Sequence, residues 1–258
     1  MIKNSLLYRT MFAAWDLACD RPLPVFMRPD KSSTAPVKNT LYMLPVWGAI
    51  GGIAALIAGK ILSFLLPVNG CALLFALLMV ILGEMRTNSR GMSLSVTFLD
   101  GIISGKGFAD AQRARCQSLK ECNGIIPLLL ALSLMGGKFL LIFMVARTGH
   151  FGAAGAALVI ALSVEAFLAA EPAAADVPEI CQQAHGEYII ALAGFFLLFN
   201  LISLPLATLI ATGAAAIITM LILNLCLSSN GRITSDDMTM TGYILDFAVW
   251  LCTALLIG

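Results

Sequence analysis

Most of the basic charge of this chain is crowded into two stretches. Of its sixteen Lys and Arg residues, Lys3, Arg9, Arg21, Arg28, Lys31 and Lys38 fall within residues 1–40, and Arg86, Arg90, Lys106, Arg113, Arg115 and Lys120 fall within 84–123. Between and after them run Leu41–Leu66, Gly124–Ala146 and Glu187–Leu227, almost without charge. A water-soluble domain spreads charge over every surface-facing element. Segregation of this kind is what a bilayer imposes on a chain that crosses it repeatedly, because hydrocarbon offers polar groups no partner. The expected fold class is therefore all-α: a polytopic membrane helix bundle in one membrane-embedded domain, residues 1–258.

Composition agrees. Apolar residues make up 59% and charged residues 12% of the chain, against about a quarter charged in soluble domains. Neither polar stretch is long enough for a core of its own. No extended basic or aromatic-interleaved surface is present, so nucleic acid is not an expected partner. The seven cysteines (Cys19, Cys71, Cys116, Cys122, Cys181, Cys226, Cys252) form no Cys-x-x-Cys pair and read as small hydrophobes in a reducing compartment. His150 and His185 stand apart, which argues against a zinc site.

On a ruler of about twenty apolar residues per crossing, spans are expected near 42–66, 70–83, 124–146, 152–171, 187–204, 206–227 and 240–257, seven in all. The second is short and must borrow from its neighbours. Pro205 is expected to divide 187–227 into two helices, since proline removes a hydrogen bond from the ladder; one kinked helix is the alternative. Residues 1–40 read as a cytoplasmic or interfacial segment. Lys3, Arg9, Asp16 and Asp20 interrupt any cleavable signal. At 100° per residue Leu7, Met11, Ala14, Trp15 and Ala18 share one face, the pattern of a helix lying in the interface, and Arg21-Pro22-Leu23-Pro24 ends it. Residues 84–123 read as a cytoplasmic polar loop. Gly48, Gly51, Gly52, Gly136, Gly137, Gly152, Gly155 and Gly213 suit close helix packing.

Two acids lie beside small residues at cytoplasmic ends of spans: Asp100, followed by Gly101, and Asp236, followed by Asp237. Carboxylates so placed can hold Mg²⁺ against phosphate oxygens, with Arg and Lys neutralising a diphosphate; an Asp-Gly pair is also an ordinary turn. Lys60, Lys138, Glu165 and Asp246 fall inside spans, where a charge costs about 2.5–3.5 kcal/mol at the helix centre. Lys60 can snorkel from a helix end. Lys138 and Glu165 lie deeper, where they can pair between adjacent spans, and Asp236 and Asp246, ten residues apart, are expected to share a face.

Several segments, in order, resemble the cobalamin synthase family, the adenosylcobinamide-GDP ribazoletransferases. Arg21-Pro22-Leu23-Pro24 resembles the family's Thr-Arg-Leu-Pro-x-Pro. Leu44-Pro45-Val46-Trp47-Gly48, with Gly51-Gly52, resembles its Phe-Pro-x-x-Gly. Gly124 and Lys138 match the spacing of a glycine and an in-membrane lysine. Gly231-Arg232-Ile233-Thr234-Ser235-Asp236 resembles Gly-Gly-x-Thr-Gly-Asp, and Asp246 stands at a glutamate. The family's His-x-Asp-Gly-x-x-Asp-x-x-Asp-Gly aligns with Gly91–Gly101, where Asp100 and Gly101 remain while Gly91, Ser93 and Thr97 replace the histidine and two aspartates. Glu121-Cys122-Asn123-Gly124 stands for Asp-Ser-Arg-x-Gly, one residue shorter, and Ala173–Gly186 has no counterpart of the Ala-Arg-Glu-Glu-Gly loop.

The resemblance implies a transferase that joins α-ribazole or its 5′-phosphate to adenosylcobinamide-GDP and releases GMP in cobalamin biosynthesis, with Mg²⁺ as cofactor. It implies Asp100 and Asp236 at the metal, Asp246 as a further acid, and Arg86, Arg90, Arg232 and Lys138 toward substrate. The expected surroundings are the bacterial inner membrane and its lipid, with a second copy of the chain as a further partner. A catalytically impaired paralogue or a small transporter, with Lys138, Glu165 and Asp246 along a polar path, is the alternative.

With the amino terminus inside, thirteen Lys and Arg residues lie on the cytoplasmic side, the twelve above and Arg232, against Arg147 alone on the other, a clear positive-inside asymmetry. A cysteine at Ser104 is therefore expected to react with a membrane-impermeant maleimide only after the cells are opened. Labelling of intact cells from the periplasm would reverse the orientation.

Overall fold

The computed structural model describes residues 5–18, 39–115, 125–175 and 184–257. Arg21-Pro22-Leu23-Pro24, Glu121-Cys122-Asn123-Gly124, most of the loop 172–186, and Cys19, Cys116, Cys122 and Cys181 lie outside the described residues. The described part is a bundle of helices: α1 (Leu6–Ala18), α2 (Met43–Leu65), α3 (Val68–Arg86), α4 (Arg90–Ile103), α5 (Phe108–Arg113), α6 (Ile125–Arg147), α7 (Ala153–Ala170), α8 (Gly186–Ser203), α9 (Pro205–Asn230) and α10 (Ser235–Ile257). Six of them, α2, α3, α6, α7, α9 and α10, are long and apolar enough to cross a membrane. The fifth expected span, 187–204, forms α8, whose apolar stretch Gly186–Leu198 is shorter. Leu73, Leu77, Ile81, Leu128, Leu132, Leu209 and Ile217 are among the many large apolar side chains left exposed. In water such a surface would aggregate; against lipid it is the ordinary exterior of a polytopic membrane protein.

Helix α7 forms the centre. Its sequence AAGAALVIALSVEAFLAA is small and apolar on every side, as a fully enclosed helix requires, and Ala154, Ala157, Val159, Ala166 and Leu168 are all buried. Helix α2 presents Gly48 and Gly52 to it and Gly59 to Phe151 just ahead of it, each buried. A Cβ added at Gly52 would sit 2.4 Å from Gly155 Cα, and one at Gly48 would sit 2.8 Å from Val159 Cα. The two backbones touch, which lipid solvation rewards through packing alone. Against the other sides of α7 lie α10 and α8, and α3 packs on α6, with Phe75 edge-on to Phe151 at 4.9 Å.

The short second span does borrow from its neighbours: α3 runs from Val68 to Arg86. Leu204 separates α8 from α9 with an extended φ of −143°, so the proline divides the run into two helices. The expected polar loop 84–123 is otherwise built. It contains α4 and α5, and Gly91 through Thr97 of α4 are buried. Thr97 and Ser95 satisfy their hydroxyls on the helix itself, at Ser93 O and Gly91 O, both 2.8 Å, so a polar composition fits a buried helix. Asn88 (φ 48°) and Ser89 (φ 60°) adopt the left-handed region in succession and break α3 from α4, an uncommon conformation for residues with a Cβ.

The amphipathic helix α1 docks on α2. Trp47 Nε1 donates to Met11 O at 2.9 Å and the Trp15 and Trp47 rings meet edge-on at 5.0 Å. Its inward side is Thr10, Phe12 and Ala14, while Leu7 of the expected apolar face points outward.

Gly52→Ala is expected to push α2 from α7 and to cost about 1–3 kcal/mol, as overpacking does, measured by denaturant unfolding in detergent micelles. Gly213→Ala, whose added Cβ meets nothing within 4 Å, is expected to be neutral or slightly stabilising.

Candidate functional site

Polar side chains from α3, α4, α6, α7 and α10 meet where α3 breaks. Arg86, in the last turn of α3, binds Glu165 of α7 through both ends of its guanidinium, Nη1 to Oε2 at 3.0 Å and Nη2 to Oε1 at 2.9 Å. Glu165 in turn lies over Gly242 of α10, where a Cβ would stand 2.0 Å from Oε1. The absence of a side chain at Gly242 is thus what admits the carboxylate between α7 and α10. Bidentate pairing with arginine uses both carboxylate oxygens and fixes its plane.

Deeper along α6, Lys138 Nζ contacts Asp246 Oδ2 of α10 at 2.6 Å and lies 5.0 Å from the centre of the Tyr243 ring. An ammonium held between a carboxylate and an aromatic face has its charge answered twice. Lys138 therefore pairs with Asp246 rather than with Glu165, because α10 lies between α6 and α7 at this level and supplies the nearer acid. Glu84 of α3 is buried beside the Ser89 and Tyr243 hydroxyls and near the charges of Lys138 and Asp246. Neither Glu84 oxygen, nor the Tyr243 hydroxyl, reaches hydrogen-bonding geometry with a partner.

At the start of α10 a second group forms. Arg90 Nε donates to Asp236 Oδ1 at 3.0 Å, its Nη2 also contacts Oδ1, and Nη2 donates to Ser235 Oγ at 3.1 Å. Asp237, one residue on, is fully buried. Its Oδ2 accepts from Thr234 N (2.9 Å) and Thr234 Oγ1 (2.7 Å), while Thr234 Oγ1 receives Asp237 N at 3.3 Å, closing a reciprocal cap of the helix. Its Oδ1 accepts from Gln112 Nε2 at 2.7 Å and pairs with Arg115 Nη1 at 2.8 Å. Sequence reading chose Asp236 and passed over Asp237, Gln112 and Arg115. The Thr-x-x-Asp spacing was the available signal for Asp237; nothing local marks its partners.

The expected site residues are thus partly brought together. Arg90 meets Asp236, Lys138 meets Asp246, and Arg86 is taken up by Glu165. Asp236 and Asp246 do not act on one partner. Asp100 is half-buried near the far end of α4, ten residues or about 15 Å of helix rise beyond Arg90, and Arg232 is exposed beside Ile233, which bridges to Ala173 and Ala175. Among the described residues no three His, Cys, Asp or Glu side chains cluster as a metal cage. Mg²⁺ itself asks for less, one or two carboxylates completed by waters and phosphates. Asp236 retains 25% side-chain exposure and engages Arg90 through Oδ1, so its Oδ2 fits that limited role, whereas Asp100 stands apart from it along α4.

A cavity of about 690 Å³ opens between α2 and α3, with Arg86, Lys138 and Asp246 along one end and apolar side chains elsewhere. Set against protein-family models, curated proteins and solved structures, the chain matches none of them.

Asp237→Ala is expected to cost about 3–5 kcal/mol, because it strands the buried Arg115 guanidinium. Replacing both members, Asp237→Leu with Arg115→Met, is expected to cost less than the single change when unfolding is followed in the same detergent.

Proposed function

We propose that this multi-pass membrane protein is a transferase of the cobalamin synthase type, acting in the bacterial cytoplasmic membrane with its amino-terminal segment inside. What supports the reading is a convergence. Gly91–Gly101, Lys138 and Gly231–Asp246 carry separate parts of the resemblance and lie far apart in sequence. In the fold Arg90 meets Asp236, Lys138 meets Asp246, and Gly91 packs on α10, where an added Cβ would stand 3.0 Å from Tyr243 Cβ and 3.4 Å from Thr239 O.

On this reading a ribose hydroxyl of α-ribazole attacks a phosphorus of adenosylcobinamide-GDP. The new phosphoester bond forms as the diphosphate bridge breaks, GMP leaves with the electron pair, and the hydroxyl proton passes to water. Arg90 and Arg232 attract the diphosphate, and Arg90 holds the Asp236 carboxylate in place. Arg86 is engaged by Glu165 and acts on the shape of the site rather than on phosphate. Asp236 would hold Mg²⁺, which would neutralise charge on the leaving GMP; Asp100, ten residues along α4 from Arg90, lies too far along the helix to share that ion.

The departures from the family pattern bear on rate. Gly91, Ser93 and Thr97 are buried in packing, and Thr97 spends its hydroxyl on its own helix. They add no acceptor toward solvent, so turnover is expected to be slow. The second reading, an impaired paralogue that binds ligand without turnover, is favoured by the apolar cavity, which this transfer chemistry does not use.

Purified protein in lipid nanodiscs is expected to release GMP slowly from adenosylcobinamide-GDP and α-ribazole in a Mg²⁺-dependent manner. Asp236→Asn is expected to lower the rate about ten- to hundredfold and to raise the Mg²⁺ concentration required. Metal-independent release, or an unchanged Asp236→Asn, would refute this chemistry, and binding of substrate without turnover selects the second reading.

A further inference from the structure

The cavity between α2 and α3 has two unlike ends. Its walls include Ile50, Leu78 and Leu82, which are 41%, 37% and 56% exposed on helices that cross the membrane. It therefore opens toward the hydrocarbon, where molecules dissolved in the bilayer reach it. Trp15 and Trp47 form the rim where α1 docks, and paired indoles are the usual boundary between apolar depth and headgroup level.

Beside that rim, where the antiparallel α3 ends, the cavity is polar. Lys138 and Asp246 both line this end; the lysine side chain is 3% exposed and the aspartate 17%, so the carboxylate is the more accessible member of the pair. Arg86 has both ends of its guanidinium on Glu165. With that arginine engaged and Lys138 held by Asp246 Oδ2, the Asp246 carboxylate is the accessible acceptor at this end, and a ligand that supplies a donor gains a hydrogen bond to a charged group.

We propose that the cavity is a binding site for a bilayer-resident amphiphile with one apolar chain and a small hydrogen-bond-donating head, a hydroxyl or an amine. The chain lies between α2 and α3 and the head donates to Asp246. An anionic head is disfavoured, because it would bring a second acceptor against the first. The volume of about 690 Å³ falls within the roughly 300–1,000 Å³ of single small-ligand sites. The site does not depend on the transferase reading, since it involves no phosphate, metal or transfer step.

The test uses the full chain in phosphatidylcholine nanodiscs and a diazirine-bearing long-chain alcohol. Photolabelling is expected on peptides from α2 and α3, and the matching methyl ether, which lacks the donor, is expected to label about tenfold less, the worth of one hydrogen bond to a charged group. Ala54→Trp and Ala58→Phe fill the cavity from α2 and are expected to abolish labelling, while Ile61→Trp, on the same helix but outside the lining, retains it. Monodisperse size-exclusion profiles establish that the variants are folded, and the alcohol and ether comparison stands on the unaltered chain alone. Equal labelling by alcohol and ether, stronger labelling by the corresponding fatty acid, or full labelling of folded Ala54→Trp would overturn the proposal.

Discussion

Hydrocarbon cannot solvate a charge, and the interior of this bundle is arranged around that constraint. Arg86, Lys138, Glu165 and Asp246 all lie within or at the ends of apolar helices, and each is answered by an opposite charge from a different helix. The pairs join α3 to α7 and α6 to α10, so the charges that threaten insertion also select which helices become neighbours. Breaking one partner would leave the other stranded, whereas the intact pair roughly offsets its own desolvation. The contribution of these bridges is then less to total stability than to uniqueness: a slipped helix would misplace a charge.

Close backbone contact does the complementary work. Lipid tails are as apolar as leucine, so apolar helices gain little by meeting each other unless their backbones approach. The glycines of α2 and the alanines and Gly155 of α7 make that approach. It positions α2 so that the groove beside α3 stays open, and it places Glu165 where Gly242 leaves room for it. Small residues thus set the spacing into which the charged side chains fit. The break at Asn88 and Ser89 then turns α4 back along α10, bringing Arg90 to Asp236.

Much of this was legible beforehand. Long charge-free runs announced the helices, Pro205 their division, and the stranded Lys138, Glu165 and Asp246 the interior polar groups. Other features were not legible for identifiable reasons. Residues 84–123 looked like a loop because Ser93, Ser95, Thr97 and Arg90 are polar, yet serine and threonine hydroxyls can be satisfied by the preceding turn of their own helix, and such a helix buries without penalty. The partner of Lys138 was not legible because nearness in sequence order of spans is not nearness in space.

The sequence by itself determined that this chain forms helices of membrane-crossing length and roughly where they lie, since those follow from local quantities: run length, hydropathy, proline, and the cost of an unpaired backbone group in lipid. Only the tertiary structure decided which acid answers which base, that Asp237 and not Asp236 is the fully buried carboxylate, and that the unmatched acceptors of Glu84 lie behind a cavity wall. Those outcomes depend on helix neighbours and rotation, which are set by many weak contacts summed across the bundle. No single stretch of sequence carries that sum.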